Sequence, residues 1–127
     1  MPYSAEYRYT KDHQWVKKDG NRLRVGITEH AQAELGDIVF VELPSLGSEV
    51  RKGQAVATVE SVKAVGDVTS PVSGKIVEIN QDLESAPETV NASPHDAGWV
   101  FVAEMTDPSD LDDTMDAAAY EAFLSNG

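Results

Sequence analysis

The chain has 127 residues, 41% of them hydrophobic, which is enough for one folded domain with its own core. Its 22 acidic and 10 basic side chains give a formal charge of −12, which argues against binding to nucleic acid or to an anionic membrane and permits docking onto basic patches of protein partners. Disulfides, thiol chemistry and cysteine-based zinc sites are excluded because there is no cysteine.

The first third of the chain predicts strands and one short helix. "EYRYT" and "HQWVKK" indicate strands, and the second leads into Asp19-Gly20, a strong hairpin signal. "RLRVGI" alternates apolar and basic residues, as a half-buried strand does. Thr28 is suited to cap a short helix that ends at Leu35, with Gly36 as its stop.

The middle of the chain predicts further strands. "DIVFVEL" is apolar at both parities, so we expect it to be covered on both faces. "QAVATVES", "GKIVEIN" and "WVFVAEM" also indicate strands. Between Glu84 and Gly98 lies a long loop, with one helical turn expected after Pro87.

The end of the chain predicts a helix at about residues 108–124. Asp107 is a suitable cap, and Leu111, Met115 and Ala119 would form one stripe that packs on the sheet. These elements predict a mainly β fold, a small sandwich or barrel with a short helix after the first strands and a C-terminal helix.

We expect one domain over residues 1–127, with a core at about 7–106. "MPYSAEYRYT" has neither the apolar centre of a signal peptide nor the arginine-rich character of a transit peptide. No apolar run approaches the roughly 20 residues of a membrane span. A cytoplasmic, bacterial location is therefore expected, and a mitochondrial matrix location only if a transit peptide precedes this sequence.

The sequence contains no recognisable metal-binding or catalytic motif. His13, His30 and His95 do not have the spacing of metal ligands, and neither a G-x-S-x-G motif nor a calcium-binding loop is present. The sequence therefore predicts no metal site and no catalytic residues, and the chain is not expected to be an enzyme.

A single lysine lies in the middle of "VATVESVKAVGDVTSP". Two extended runs flank Lys63, and no other basic residue lies within ten positions. A hairpin that pairs Val59 with Val68 places Lys63 and Ala64 at its tip. The plain interpretation is a solubilising turn lysine. A tip lysine on a rigid support is also what an enzyme needs in order to attach a swinging group to the amine.

Four segments resemble the H-protein family of the glycine cleavage system: "YTKDHQWV", "VGITEHAQAELGDIVFVELPSLGSEV", "VESVKAVGDVTSPVSGKIVEIN" and "VNASPHDAGWVF". The resemblance extends from about Tyr9 to Tyr120 and implies a lipoyl/biotinyl-domain-like barrel-sandwich hybrid. It also implies that Lys63, the lysine of E-S-V-K-A, carries lipoate in amide linkage. The implied context for lipoylation consists of Glu60, Ser61, Val62, Ala64 and Asp67.

The resemblance further implies a carrier without turnover of its own. A glycine decarboxylase (P protein) would load an aminomethyl group onto the lipoyl arm, and an aminomethyltransferase (T protein) would remove it. A dihydrolipoyl dehydrogenase (L protein) would then reoxidise the arm. A lipoylating enzyme is the fourth expected partner, and a monomer is expected.

Three positions depart from the common pattern of the family: Gln14, Gly66, where a small polar residue is usual, and His95, where tyrosine is common. The usual His-Glu-Trp is His13-Gln14-Trp15 here, in the region where the family is thought to hold the loaded, cationic arm. We expect Asp12 to supply the missing charge and Gln14 to offer a hydrogen bond through its amide oxygen. Asp12, His13 and Gln14 are thus the candidate residues for docking the arm.

Other carriers remain as alternatives at this point. Biotinyl domains place methionine on both sides of the lysine, where this chain has Val62 and Ala64. Lipoyl domains of 2-oxo acid dehydrogenases usually have aspartate before the lysine. A carrier that relays lipoate to other proteins, or an interaction module that no longer carries lipoate, could share much of the sequence.

Overall fold

The computed structural model describes residues 7–126, apart from the side chains of Pro108 and Asn126. Short strands dominate the described part of the chain. In chain order the elements are β1 (Arg8–Tyr9), β2 (Gln14–Asp19), β3 (Arg22–Ile27), α1 (Glu29–Leu35), β4 (Ile38–Glu42), β5 (Glu49–Val50), β6 (Ala55–Ser61), β7 (Val65–Thr69), β8 (Gly74–Ile79), α2 (Asp82–Ser85), α3 (Thr89–Ala92), β9 (Phe101–Met105), a 3₁₀ helix (Pro108–Leu111) and α4 (Ala117–Asn126).

The strands form two antiparallel sheets. A six-stranded sheet has the order β1-β2-β3-β9-β8-β5, and a three-stranded sheet has the order β4-β6-β7. The predicted first hairpin is present, because β2 pairs with β3 from Asp19–Arg22 onward, and Gly20 in its turn has a φ of 62°. The mainly β prediction is confirmed.

The main hydrophobic cluster draws on strands of both sheets. Leu23 and Val25 of β3 contribute from the six-stranded sheet, and both are fully buried. Val41, Val59 and Val68 contribute from the three-stranded sheet. Burying a side chain of this kind stabilises the fold by about 1.5–3 kcal/mol, so these inward positions fix the strands that carry the site.

The prediction that β4 is covered on both faces was wrong. Ile38 and Val41 are buried, but Val39 is 53% exposed and Phe40 is 48% exposed. The pairing of β4 with β6 is irregular between Ile38 and Phe40, so the strict alternation of faces is interrupted there. The apolar run therefore supplies two exposed side chains rather than a doubly covered strand.

The predicted first helix is confirmed. The Thr28 hydroxyl accepts a hydrogen bond from the Ala31 N–H at 3.2 Å, and Gly36 ends the helix with a φ of 82°. The single turn expected after Pro87 is α3. Within residues 7–126, no helix has the length and apolar character needed to cross a membrane.

The predicted C-terminal helix is divided into two parts, so its expected start near residue 108 was wrong. Asp107 does cap a turn, accepting from the Ser109 N–H at 3.0 Å, but that turn is a 3₁₀ helix that ends at Leu111. Met115 then exchanges two backbone hydrogen bonds with Tyr9, of 2.8 and 2.7 Å, which requires an extended chain. The α-helix begins only at Ala117, so the expected stripe does not lie on one helix.

An aromatic cluster attaches α4 to the body. Tyr120 of α4 is fully buried and stacks on Tyr9 with 5.0 Å between ring centroids. Tyr7 stacks in the same way on Trp15 at 4.8 Å. The C-terminal helix is therefore held against the strand segments that precede β3.

Candidate functional site

Lys63 lies in the tight turn between β6 and β7. The turn is closed by a hydrogen bond of 2.8 Å from the Ser61 N–H to the Ala64 carbonyl. The Ser61 hydroxyl accepts from the Lys63 and Ala64 amides at 3.3 and 3.0 Å. The Val62 N–H donates to the Asp37 carbonyl at 3.2 Å, which ties the turn to the segment after α1. The tip is therefore rigidly supported.

The predicted register of this hairpin was wrong by two positions. Val59 pairs with Gly66 rather than Val68, and the two turn residues are Val62 and Lys63 rather than Lys63 and Ala64. The hydroxyl of Ser61 provides the reason, because it satisfies the amides of the next turn residues and so makes Ser61 the first corner. Lys63 stays at the tip under either register.

The Lys63 side chain is exposed, and its stem lies against Gly36. A Cβ placed on Gly36 would be 3.3 Å from Lys63 Cε. The positive φ of this helix end favours glycine, and the absence of a side chain also leaves room for the lysine stem. Among residues 7–126, Lys63 forms no ion pair with a carboxylate. The amine is therefore accessible for chemical modification.

The two predicted acidic neighbours lie at different distances from the tip. Glu60 is half-buried and lies opposite Val65, one pair below the turn. Asp67 is exposed and lies opposite Thr58, further along β7. At about 3.3 Å per residue, Asp67 is roughly 13 Å along the strand from Lys63. Only Glu60 is close to the lysine backbone, and Asp67 is placed to meet a long group attached there.

Exposed apolar side chains lie near the tip. Val62 is 73% exposed and Val65 is 62% exposed, on either side of Lys63. Phe40 pairs with Glu60 across β6, and Glu60 pairs with Val65, so the three residues form one row across the sheet. Val39 precedes Phe40. We call Val39, Phe40, Val62 and Val65 the apolar frame. Exposed apolar groups clustered in this way are typical of surfaces that dock on other proteins.

Gln14 has a different role from the one expected. Its side chain is 1% exposed, and its Nε2 donates to the Thr69 carbonyl at 2.6 Å. Its Oε1 accepts from the Thr69 N–H at 2.8 Å and from the Thr69 hydroxyl at 3.1 Å. The amide therefore imitates a strand partner and joins β2 to the end of β7. The amide oxygen expected to serve the loaded arm is already in use.

Asp12 lines a cleft beside Thr69. Its Oδ2 accepts from the Thr69 hydroxyl at 3.3 Å, and the carboxylate is otherwise exposed. The cleft has a volume of about 310 Å³ and also includes Lys52 and Asp113, which pair at 3.1 Å. Lys11 also lines the cleft, but within the described residues Asp12 pairs with no basic side chain, whereas Asp113 is occupied by Lys52, so Asp12 is the carboxylate left to receive a cation.

His13 lies apart from the other two candidate residues. It has a φ of 63°, the left-handed region, and its Nδ1 is 2.8 Å from the Tyr120 hydroxyl. Burial lowers the pKa of His13, and the neighbouring His30 lowers it further, whereas Glu34 and Asp12 act in the opposite direction. The structure thus brings Asp12 and Gln14 together at Thr69 and turns His13 towards α1 and α4.

Several residues of the site were not identified from the sequence. Thr69 was missed because its contacts with Asp12 and Gln14 join segments far apart in the chain. The stem contact of Gly36 was missed for the same reason. The turn set by Ser61 had a readable signal, since serine at the first position of a turn caps the amides that follow it.

Comparison with known proteins agrees with this geometry. A family model described as "Glycine cleavage H-protein" matches residues 7–127. A glycine cleavage system H protein of Phenylobacterium zucineum is 54% identical over 119 residues, which cover 94% of this chain and 98% of that protein. One from Koribacter versatilis is 51% identical over 125 residues, covering 98% and 96%.

A solved structure has the same fold. It is a glycine cleavage system H protein from Mycobacterium marinum, with a TM-score of 0.88, 35% identity, and coverage of 96% of this chain and 98% of that one. The match confirms the expected barrel-sandwich hybrid of the lipoyl-domain type. The chain therefore belongs to the glycine cleavage H-protein family.

Proposed function

We propose that this chain is the lipoyl-bearing carrier of the glycine cleavage system, a single domain with lipoate in amide linkage to Lys63. The observation that carries the proposal is the exposed lysine on a hairpin tip fixed by Ser61 and Asp37. A carrier needs an amine that a lipoylating enzyme can reach, on a support that does not yield. A merely solubilising lysine does not need the fixed turn, the stem contact with Gly36 or the apolar frame.

The residues around Lys63 fit a lipoyl group. Its amine forms no ion pair within the described residues, so acylation removes no such contact. The stem lies against Gly36, which has no side chain to obstruct a group attached to the amine. When bound, the group would supply a disulfide that takes up an aminomethyl unit from the P protein and is reduced as its S–S bond breaks. Removal of the unit by the T protein would leave a dithiol, which the L protein would reoxidise to the disulfide. In this proposal the chain itself performs none of these reactions.

The length of the arm decides which residues it meets. A lysine stem plus the lipoyl chain reaches on the order of 10–15 Å. Asp67, at roughly 13 Å along β7, is within that range, and Thr69, at roughly 20 Å, lies beyond it. We propose that the arm passes Asp67 when folded back and that at full stretch its end comes within about 5 Å of the Thr69 position, where the Asp12 carboxylate attracts a cation without direct contact. Gln14 acts indirectly, by holding Thr69 and hence the wall of the cleft.

The apolar frame is the proposed docking surface for partners. Val62 and Val65 flank the lysine, so they lie where an enzyme that admits the arm would approach the carrier. The charge of −12 would accelerate association with enzymes that present basic patches. The two features have separate roles, since charge affects the association rate and apolar burial holds the docked complex. The bacterial relatives support a cytoplasmic location for these encounters.

The decisive experiment compares the wild-type chain with Lys63→Arg. Each is incubated with a lipoylating enzyme, and its intact mass is measured by mass spectrometry. Each is then added to purified P, T and L proteins with glycine and tetrahydrofolate. We expect a mass increase of one lipoyl group and glycine cleavage only for the wild type. The arginine variant should keep its stability within about 0.5 kcal/mol, because the position is exposed. Lys75→Arg, at another exposed lysine, should behave like the wild type. Lipoylation or cleavage by Lys63→Arg would refute the proposal.

A further inference from the structure

Three side chains with metal-binding atoms meet in a second cavity, on the α1 side of the molecule. His13, His30 and Glu34 each place one ligand atom within 4.8 Å of the others. They line a cavity of about 330 Å³ together with Phe123 and Leu124 of α4. We propose that this cluster binds a Zn²⁺ ion. The proposal is independent of lipoate and goes beyond the carrier role.

Two of the ligands are paired by the helix. His30 and Glu34 are one turn apart on α1, and His30 Nε2 lies 3.1 Å from Glu34 Oε1. With bonds of about 2.0–2.1 Å, neighbouring ligands of a tetrahedral zinc ion are about 3.3 Å apart. The helix therefore already holds two ligands at the required separation.

The third ligand comes from a strained backbone position. His13 has a φ of 63°, and its carbonyl accepts from the N–H of Thr28, the cap of α1, at 3.0 Å. A positive φ is uncommon in a residue other than glycine and is often found where a side chain has to point to a functional group. Here it brings the His13 ring to 4.6 Å from the His30 ring, measured between centroids.

A hydrogen-bonded chain orients the His13 ring. His13 Nδ1 is 2.8 Å from the Tyr120 hydroxyl, which is 2.9 Å from the Thr28 hydroxyl. If Nδ1 donates to Tyr120 and Tyr120 donates to Thr28, Nε2 is left deprotonated and able to bind a metal. Metal-binding histidines almost always have such a partner on the other ring nitrogen. Tyr120 is therefore a positioning residue rather than a ligand.

The donor set favours zinc over the hard cations. Two imidazoles and one carboxylate suit Zn²⁺ and similar late divalent metals, whereas Mg²⁺ and Ca²⁺ prefer oxygen. The widest pair must close by about 1.5 Å to reach tetrahedral geometry. The Glu34 side chain is 66% exposed and that of His30 is 34% exposed, so both have room to move. Three protein ligands leave the fourth position to water.

The plain alternative is an ordinary helix ion pair beside a histidine that only serves Tyr120. Zinc titration of the untagged chain, measured by calorimetry, separates the two interpretations. Any lipoyl group is kept as its disulfide, because its dithiol form would itself bind zinc. We expect one saturable site, retained in excess Mg²⁺, and a melting temperature that zinc raises. His30→Gln and Glu34→Gln should each weaken binding at least tenfold, because each removes a ligand.

The controls address general attraction of cations to an acidic protein. Glu84→Gln removes an exposed carboxylate from α2 and should leave zinc affinity unchanged. Tyr120→Phe keeps the stacked ring but removes the hydroxyl, so it should weaken zinc binding while the Co²⁺-loaded chain keeps a four-coordinate absorption spectrum. Equal affinities of the wild type, His30→Gln and Glu34→Gln, or no saturable site at all, would overturn the proposal.

Discussion

The three hydrogen bonds between the Gln14 side chain and Thr69, which we call the clamp, give the sharpest prediction, through the variant Gln14→Glu. The substitution barely changes the shape of the side chain but replaces the Nε2 donor with a second oxygen. That oxygen would face the Thr69 carbonyl at the position where a 2.6 Å hydrogen bond now exists. Because the side chain is 1% exposed, water cannot solvate the new carboxylate. We therefore expect a loss of stability that depends on pH.

The magnitude follows from the two ways in which the folded chain can hold the new carboxyl group. If it is ionised, a buried carbonyl loses its partner, at about 1–3 kcal/mol, and an unpaired charge is buried as well. If it is protonated, its O–H can donate to Thr69, but the proton costs about 1.4 kcal/mol for each pH unit above the ordinary pKa of about 4.3. This route alone costs about 1 kcal/mol at pH 5 and at most about 5 kcal/mol at pH 8.

The sign of the pH dependence is therefore determined. Burial raises the pKa of the new carboxyl in the folded state, so its destabilising effect is absent below pH 4 and grows as pH rises towards the folded-state pKa. We expect a loss of about 1 kcal/mol at pH 5 and about 3 kcal/mol at pH 8, relative to wild type at each pH. Urea unfolding followed by fluorescence, in a buffer with chelator, measures both values.

A matched control isolates burial as the cause. Gln54→Glu makes the same chemical change at an exposed position, where the carboxylate can still accept from the Arg51 N–H. It should cost within about 0.5 kcal/mol at both pH values. Equal stabilities for the Gln14 and Gln54 variants, or a loss that does not change between pH 5 and pH 8, would refute the clamp.

Three further predictions concern the carrier site. Ser61→Ala removes the hydroxyl that accepts from two turn amides. We expect the free energy of unfolding in urea to fall by about 1 kcal/mol and the lipoylation of Lys63 to slow. An unchanged lipoylation rate would show that the turn is fixed without this hydroxyl. Phe40→Ser should raise the KM of the P protein for the carrier by about fivefold, equivalent to about 1 kcal/mol, in a variant that urea unfolding shows to be folded under the assay conditions. An unaltered KM would remove Phe40 from the docking surface. Asp12→Asn should speed the spontaneous release of ammonia from the aminomethyl-loaded carrier, whereas Asp19→Asn, at the exposed end of β2, should not. Equal lifetimes of the loaded group in the two variants would mean that the arm does not reach the cleft.

Local patterns in the sequence determined most of the strands, the first helix and the tip position of Lys63. Alternating residues such as Leu23 and Val25 report which side of a strand is buried, because successive side chains point to opposite faces. Thr28 and Gly36 mark the ends of α1 because their hydrogen bonding and backbone geometry are local. The exposed lysine followed in the same way from extended runs on both sides of one turn.

Tertiary contacts decided the rest. The helix expected from residue 108 is interrupted because Met115 pairs with Tyr9. Helical propensity depends on local sequence and does not predict such a contact. The sequence did not predict that the outer side chains of β4 are exposed, because no pattern within a strand indicates whether another element covers it. Gln14 is committed to Thr69, and His13 meets His30, only when distant segments come together. Sequence determines what lies along one element, and only folding decides which side chains of different elements share a site.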